Sequence, residues 1–107
     1  MSKQLEIVIK DAKRHHEENN VDVVIFIPKE LSTQSYYIFN KEYDTKKHCF
    51  HTEHGKIKIA VAQISGESDQ HYHTVYIINP QDIEDRVLNE LKMVPDTKGI
   101  VYCVKVN

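Results

Sequence analysis

Val21-Asp22-Val23-Val24-Ile25-Phe26-Ile27-Pro28 is the stretch on which the fold turns. Apart from Asp22, its first seven residues are apolar on both pleat faces, which predicts a central strand covered on each side. Pro28 ends the strand, because proline has no N–H to offer a ladder. Upstream, Leu5, Val8, Ile9, Ala12 and His16 recur at helical spacing and predict a helix over 2–20 with one core-facing stripe. Lys3, Glu6, Lys10, Lys13, Arg14 and Glu17 fall on its wet side, and Asn19-Asn20 stop it.

Downstream, Ser-Tyr-Tyr-Ile-Phe-Asn over 35–40 reads as a second strand, running into an irregular extended segment within 41–54. In 56–64, Ile57, Ile59 and Val61 alternate with Lys58, Ala60 and Ala62, so one face packs and the small residues leave room for a helix. The turn cluster Ser65-Gly66-Glu67-Ser68-Asp69 then predicts a hairpin with the strand over 71–78. Asn79-Pro80-Gln81-Asp82 predicts a helix start, with a cap, a proline at the first position and a carboxylate three residues after the cap. Ile83, Val87, Leu88, Leu91 and Val94 form that helix's buried stripe, and Pro95 ends it. The strand over 99–106 follows and, through a right-handed crossover, lies parallel to 71–78. The expected fold is a single α+β domain over 1–107 in the order α-β-β-β-β-α-β. Its sheet is mostly antiparallel, with both helices on the more apolar face and a β-α-β crossover at the C-terminus.

The chain has 107 residues, 40% hydrophobic and 28% charged, a composition that folds without help from a metal or disulfide. Lys and Arg total 14 against 16 Asp and Glu, so the net charge of −2 lacks the cationic surplus of a general nucleic-acid coat protein. No apolar run reaches membrane-span length and Met1-Ser2-Lys3-Gln4-Leu5-Glu6 has no signal-peptide profile, which points to a cytoplasmic protein with no membrane partner. In that compartment Cys49 and Cys103 are expected as thiols or metal ligands.

Histidine is the compositional outlier, with seven residues, five of them in Lys47-His48-Cys49-Phe50-His51-Thr52-Glu53-His54 and Gln70-His71-Tyr72-His73. In extended chain, Cys49 with His51 and His71 with His73 each share a face. On neighbouring strands the four would make a tetrahedral zinc site. A three-ligand version would leave one position for an activated water, with Glu53 or His54 as base. His71, His73 and Glu53 are thus the candidate catalytic groups of a metal-dependent hydrolase. The spacing matches no established ligand signature, and solvated loop histidines are the plainer account. His48, His51 and His54 recur every three residues; beside Lys46, Lys47 and Lys56 they would form a patch that gains charge on acidification. His15-His16 caps the first helix, with His16 on its apolar stripe.

The helix, strands, helix, strand order resembles the restriction-endonuclease-like core, whose nucleases hold Mg²⁺ with an acid and a later [D/E]-x-K on a central strand. Asp22 matches the first acid. The later motif is missing, since the strand reads Lys56-Ile57-Lys58-Ile59-Ala60-Val61-Ala62 while Glu90-Leu91-Lys92 is helical and Asp96-Thr97-Lys98 lies in a loop. The resemblance is one of topology and not of chemistry. With three glycines in the chain there is no phosphate-cradling loop.

Elimination leaves a small non-enzymatic protein-binding or regulatory module, of inhibitor, immunity or adaptor type, acting through a rigid sheet surface and needing no cofactor. Tyrosine is favoured at such surfaces, and Tyr36, Tyr37, Tyr43, Lys46, Lys47 and His48 are the candidate partner-binding residues. The last strand can also serve as an edge for a second copy, giving a homodimer. A metal-dependent hydrolase or nuclease-like enzyme using the His48–His54 and His71–His73 clusters, with zinc, ranks second. A weak nucleic-acid binder using Lys41, Lys46, Lys47 and Lys56 ranks third, because Glu42, Asp44 and Glu53 dilute that patch.

Overall fold

The computed structural model describes residues 3–63 and 71–107. Three helices, α1 (Lys3–Asn19), α2 (Ser32–Tyr43) and α3 (Asp85–Leu91), surround five strands, β1 (Val23–Ile27), β2 (Cys49–Thr52), β3 (Gly55–Val61), β4 (Tyr72–Ile78) and β5 (Pro95–Val104). The strands form one mixed sheet in the order β2-β3-β1-β4-β5. An α+β architecture is therefore present, and β1 is its central strand with every side chain buried.

Four parts of the expected topology are corrected. Residues 35–40 are helical, not a strand: Ser35, Ile38 and Phe39 stack at i, i+3, i+4 on one buried stripe. The sheet is mostly parallel, since β1 pairs in parallel with both β3 and β4, β4 with β5, and only β2 runs antiparallel to β3. The two corrections have one cause, because a helix between β1 and the next strands returns the chain to its starting end. The strands over 56–64 and 71–78 make no hairpin: β1 lies between β3 and β4. The turn cluster 65–69 lies outside the described residues. Finally, the helices occupy both faces. On one, Leu5, Ile9, Ile38 and Phe39 of α1 and α2 pack on Ile25, Ile57 and Ile59; on the other, Ile83, Val87 and Leu91 pack on Val24, Phe26 and Ile77. Crossovers of one hand that step outward in opposite directions from the sheet's centre require this. With a helix between its first two strands, the chain also departs from the order on which the endonuclease resemblance rested.

Asn79-Pro80 starts a single 3₁₀ turn (Pro80–Asp82), and α3 begins only at Asp85. Asn79, at the N-cap of that turn, is left-handed at φ 51° and its side chain makes no cap bond. Its side chain is engaged elsewhere, accepting the Val106 N–H at 2.7 Å, while its own N–H donates to the Val104 carbonyl at 2.8 Å. These two bonds clamp the end of β5 to the end of β4.

Candidate functional site

The histidines divide between two hydrogen-bonded tethers and several surface positions. His16 is fully buried. Its Nδ1 donates to the Val21 carbonyl at 2.6 Å, so in the neutral ring Nε2 accepts from the Thr52 hydroxyl, 2.7 Å away. Thr52 Oγ1 in turn accepts the His54 N–H at 3.0 Å, and His54 Nδ1 lies 2.6 Å from Asn20 Oδ1. One buried imidazole thus fastens the end of α1 to the β2–β3 turn. On β4, the buried Thr74 hydroxyl lies 2.9 Å from both His15 Nε2 and His73 Nδ1. Burial, aided by the neighbouring His73, pushes the His15 imidazole below its ordinary value. Beside this pair the Tyr76 hydroxyl donates to Asp11 at 3.0 Å, and Arg14 pairs with the same carboxylate. Burial and the Asp11 bond push the Tyr76 phenol well above the usual tyrosine range. Thr74 is inaccessible to solvent, so the arrangement orders side chains and presents no exposed nucleophile.

The expected metal set is not assembled. Cys49 and His51 do alternate onto one face of β2, but β3 and β1 stand between β2 and β4. The Cys49/His51 and His71/His73 pairs are thus roughly 14 Å of sheet apart and not on neighbouring strands. Among the described residues no three His, Cys, Asp or Glu side chains converge as a metal-ligand group. Glu53 is an exposed residue of the β2–β3 turn, 3.5 Å from His54, and His71 is exposed just before β4. Nor do His48, His51 and His54 align, because the chain between them is extended. Asp22 accepts the Lys56 N–H at 2.8 Å, a strand-end contact. Cys49 and Cys103, on opposite edge strands, lie far beyond disulfide reach.

The residues singled out for partner binding gather around α2. Tyr36 and His48 stack face to face at 3.8 Å with their planes 6° apart. Tyr37 is 55% exposed. Lys46 and Lys47 are exposed in the segment that leads to His48. Tyr43 turns inward instead, against Phe39 and Phe50, and burial drives its phenol upward. Behind Tyr36 and His48 opens a cavity of about 470 Å³ that also reaches Lys29, Ser32, Lys58 and Gln63. Lys29, Ser32 and Lys58 carry no motif. The signal that marks them is positional, since Lys29 follows a buried parallel strand, at the end of the sheet where α/β folds collect ligands.

A second exposed feature is the outer side of β5, a terminal strand of ten residues. Because the Val104 carbonyl and Val106 N–H both face Asn79, the even-numbered residues from Ile100, where regular pairing with β4 sets in, to Val106 turn their backbone groups inward. Val101, Cys103 and Lys105 therefore direct theirs away from the sheet, and among the described residues no strand meets them. Ile100 and Tyr102, 37% and 39% exposed, flank this edge. Among the described residues no helix is long and apolar enough to cross a membrane. Compared with family models, with curated proteins and with solved structures, the chain matches none of them.

Proposed function

We propose that the protein is a small non-enzymatic binding module that engages another protein by accepting an extended segment at the outer edge of β5. The observation that carries this reading is the outward backbone of Val101 and Cys103 on the terminal strand β5, continued by Lys105 just beyond its end. Long apolar edges are normally shortened, charged or covered, because they template pairing with another chain. Here the run 99–104 is uncharged and bracketed by Lys98 and Lys105. It suits an extended segment with alternating apolar residues and an acidic residue near each end, recognised by main-chain bonds and side-chain pockets. Both faces of the sheet are helix-covered, so the recognition surface is an edge.

Val101→Pro is the test. It removes an outward N–H and leaves the inward bonds to β4 in place, a position at which sheets accept proline. A photocrosslinker at position 103 should capture a partner from the native host, and the same partner should be lost with Val101→Pro while unfolding remains cooperative. Equal retention by that variant would overturn the reading. If the crosslinked species is a second copy, light scattering will show a dimer that the variant abolishes.

A further inference from the structure

We infer that the extended segment taken up at the β5 edge carries an aromatic residue beside Tyr102 and, two residues later, an aliphatic one beside Ile100; this rests on the edge reading above. One row of side chains crosses the sheet on its α1 face. Ile59 is in register with Ile25, Ile25 with Tyr76, and Tyr76 with Tyr102. The first three are buried, whereas Tyr102 is left 39% exposed. Its ring neighbours among the described residues are Tyr76, 5.1 Å away between centroids, and the edge-on His15 imidazole at 6.0 Å. Both lie on the inward side, since Tyr76 belongs to β4 and His15 reaches Thr74 of the same strand. The row is therefore open at its outer end, where a sixth strand would supply the next side chain.

Backbone direction decides how close that side chain comes. Tyr102 turns its N–H and C=O toward β4, so the residue opposite it in an antiparallel partner forms a non-hydrogen-bonded pair, the kind that brings side chains closest. An antiparallel strand at the rim of a parallel sheet is common, and β2 is one at the opposite rim. Aromatic pairs favour offset or edge-to-face contact, as in both ring contacts that Tyr102 already makes, and gain stability beyond the area they bury. Ile100, 37% exposed and two residues earlier on the same face, falls opposite the partner residue two positions later. Lys105, with its backbone outward, falls opposite the partner residue three positions before the aromatic one, where a carboxylate makes the favourable cross-strand pair. The pattern recognised is acid-x-x-aromatic-x-aliphatic.

The test selects random peptides displayed on phage against the immobilised full chain. Fluorescence anisotropy then gives the Kd of each selected peptide for the unaltered protein, Val101→Pro, Tyr102→Leu and, as a remote control, Tyr37→Ala. We expect the selected peptides to share the pattern and to lose binding to Val101→Pro. Binding should weaken by roughly tenfold when the peptide's aromatic residue becomes alanine, and by a similar factor in Tyr102→Leu. The two losses should not add, because each removes the same contact. The peptide-side change reads that contact without altering the protein, and Tyr37→Ala should change nothing. Peptides that need Val101 but carry no aromatic residue, or whose aromatic residue is indifferent to Tyr102→Leu, would overturn this inference and leave the edge reading standing. If no peptide is selected, or if every one binds Val101→Pro as tightly as the unaltered chain, the edge reading falls and this inference with it.

Discussion

His16 and Thr52, 36 residues apart in sequence, meet at 2.7 Å inside the protein and tie the first helix to the edge hairpin of the sheet. Replacing His16 with alanine strands the Val21 carbonyl, leaves the Thr52 hydroxyl only the Gly55 carbonyl 3.3 Å away as an acceptor, and opens a void the size of an imidazole. The expected loss is about 2–4 kcal/mol. Thr52→Val should cost about 1–2 kcal/mol, with a coupling of ~1 kcal/mol in the double variant, read by urea unfolding. Additive effects, or a His16→Ala loss under ~0.5 kcal/mol, would mean that the contact carries no weight.

His15 shares the Thr74 hydroxyl with His73, and its imidazole is held below 6.5 first by burial and then by His73. The lowered value means that the unfolded chain takes the proton more readily. His15 therefore contributes stability that is present above pH 6.5 and lost as pH falls from there through its folded-state value. Proton NMR should give a His15 midpoint below 6.5, and His73→Gln should move it upward by removing the second-largest of the causes that lower it. A midpoint at or above 6.5 in the unaltered protein contradicts this account.

Tyr43 and Tyr76 are raised alike but held differently. Tyr76 donates to Asp11, whereas the buried Tyr43 hydroxyl has no hydrogen-bond partner among the described residues. Both phenols keep their protons more tightly when folded, so their contribution is complete below the unfolded value of about 10 and is lost as pH rises beyond it. Near neutrality Tyr76→Phe should destabilise by about 1 kcal/mol, while Tyr43→Phe should be neutral or stabilising by up to ~1 kcal/mol. Thermal unfolding of the two variants checks the order.

Gly55 opens β3 at φ +120°, and a Cβ there would sit 2.5 Å from Asp22 Oδ1. That oxygen is the acceptor for the Lys56 N–H. Gly55→Ala should cost about 2–3 kcal/mol from backbone strain and the displaced carboxylate. Chemical denaturation reads it directly. The effect should shrink in an Asp22→Ala background, where the obstacle is gone.

The parts of this fold that were legible in the sequence are those with a single clean period. Leu5, Val8, Ile9, Ala12 and His16 are all buried, and β1 is buried throughout, as the patterns of 2–20 and 21–27 require. The missed element was α2, where Tyr36, Tyr37, Ile38 and Phe39 run consecutively. Their strand propensity masks the narrow Ser35, Ile38, Phe39 stripe that tertiary packing selects. That one misassignment also reversed the sheet, since strand direction depends on what lies between strands. Ile83, Val87, Leu91 and Val94 are buried as expected, although α3 itself is shorter. Tyr36 and His48 were legible as interesting residues but not as neighbours, because their stack depends on α2 crossing the start of β2. The last strand was legible as an edge, but which of its residues turn their backbone outward follows only from its pairing with β4.

The central position of β1 has a consequence for how the chain is made. Its two neighbours arrive late: Ile25 is paired by Ile59 and then by Tyr76, roughly fifty residues further on. At ribosomal speeds of about 5–20 residues per second, Val-Val-Ile-Phe-Ile waits several seconds before the last strand that shields it has emerged. Nascent chains of this protein are therefore vulnerable in a window that closes only once β4 has been synthesised, and chaperone dependence should track that interval more closely than the stability of the finished molecule.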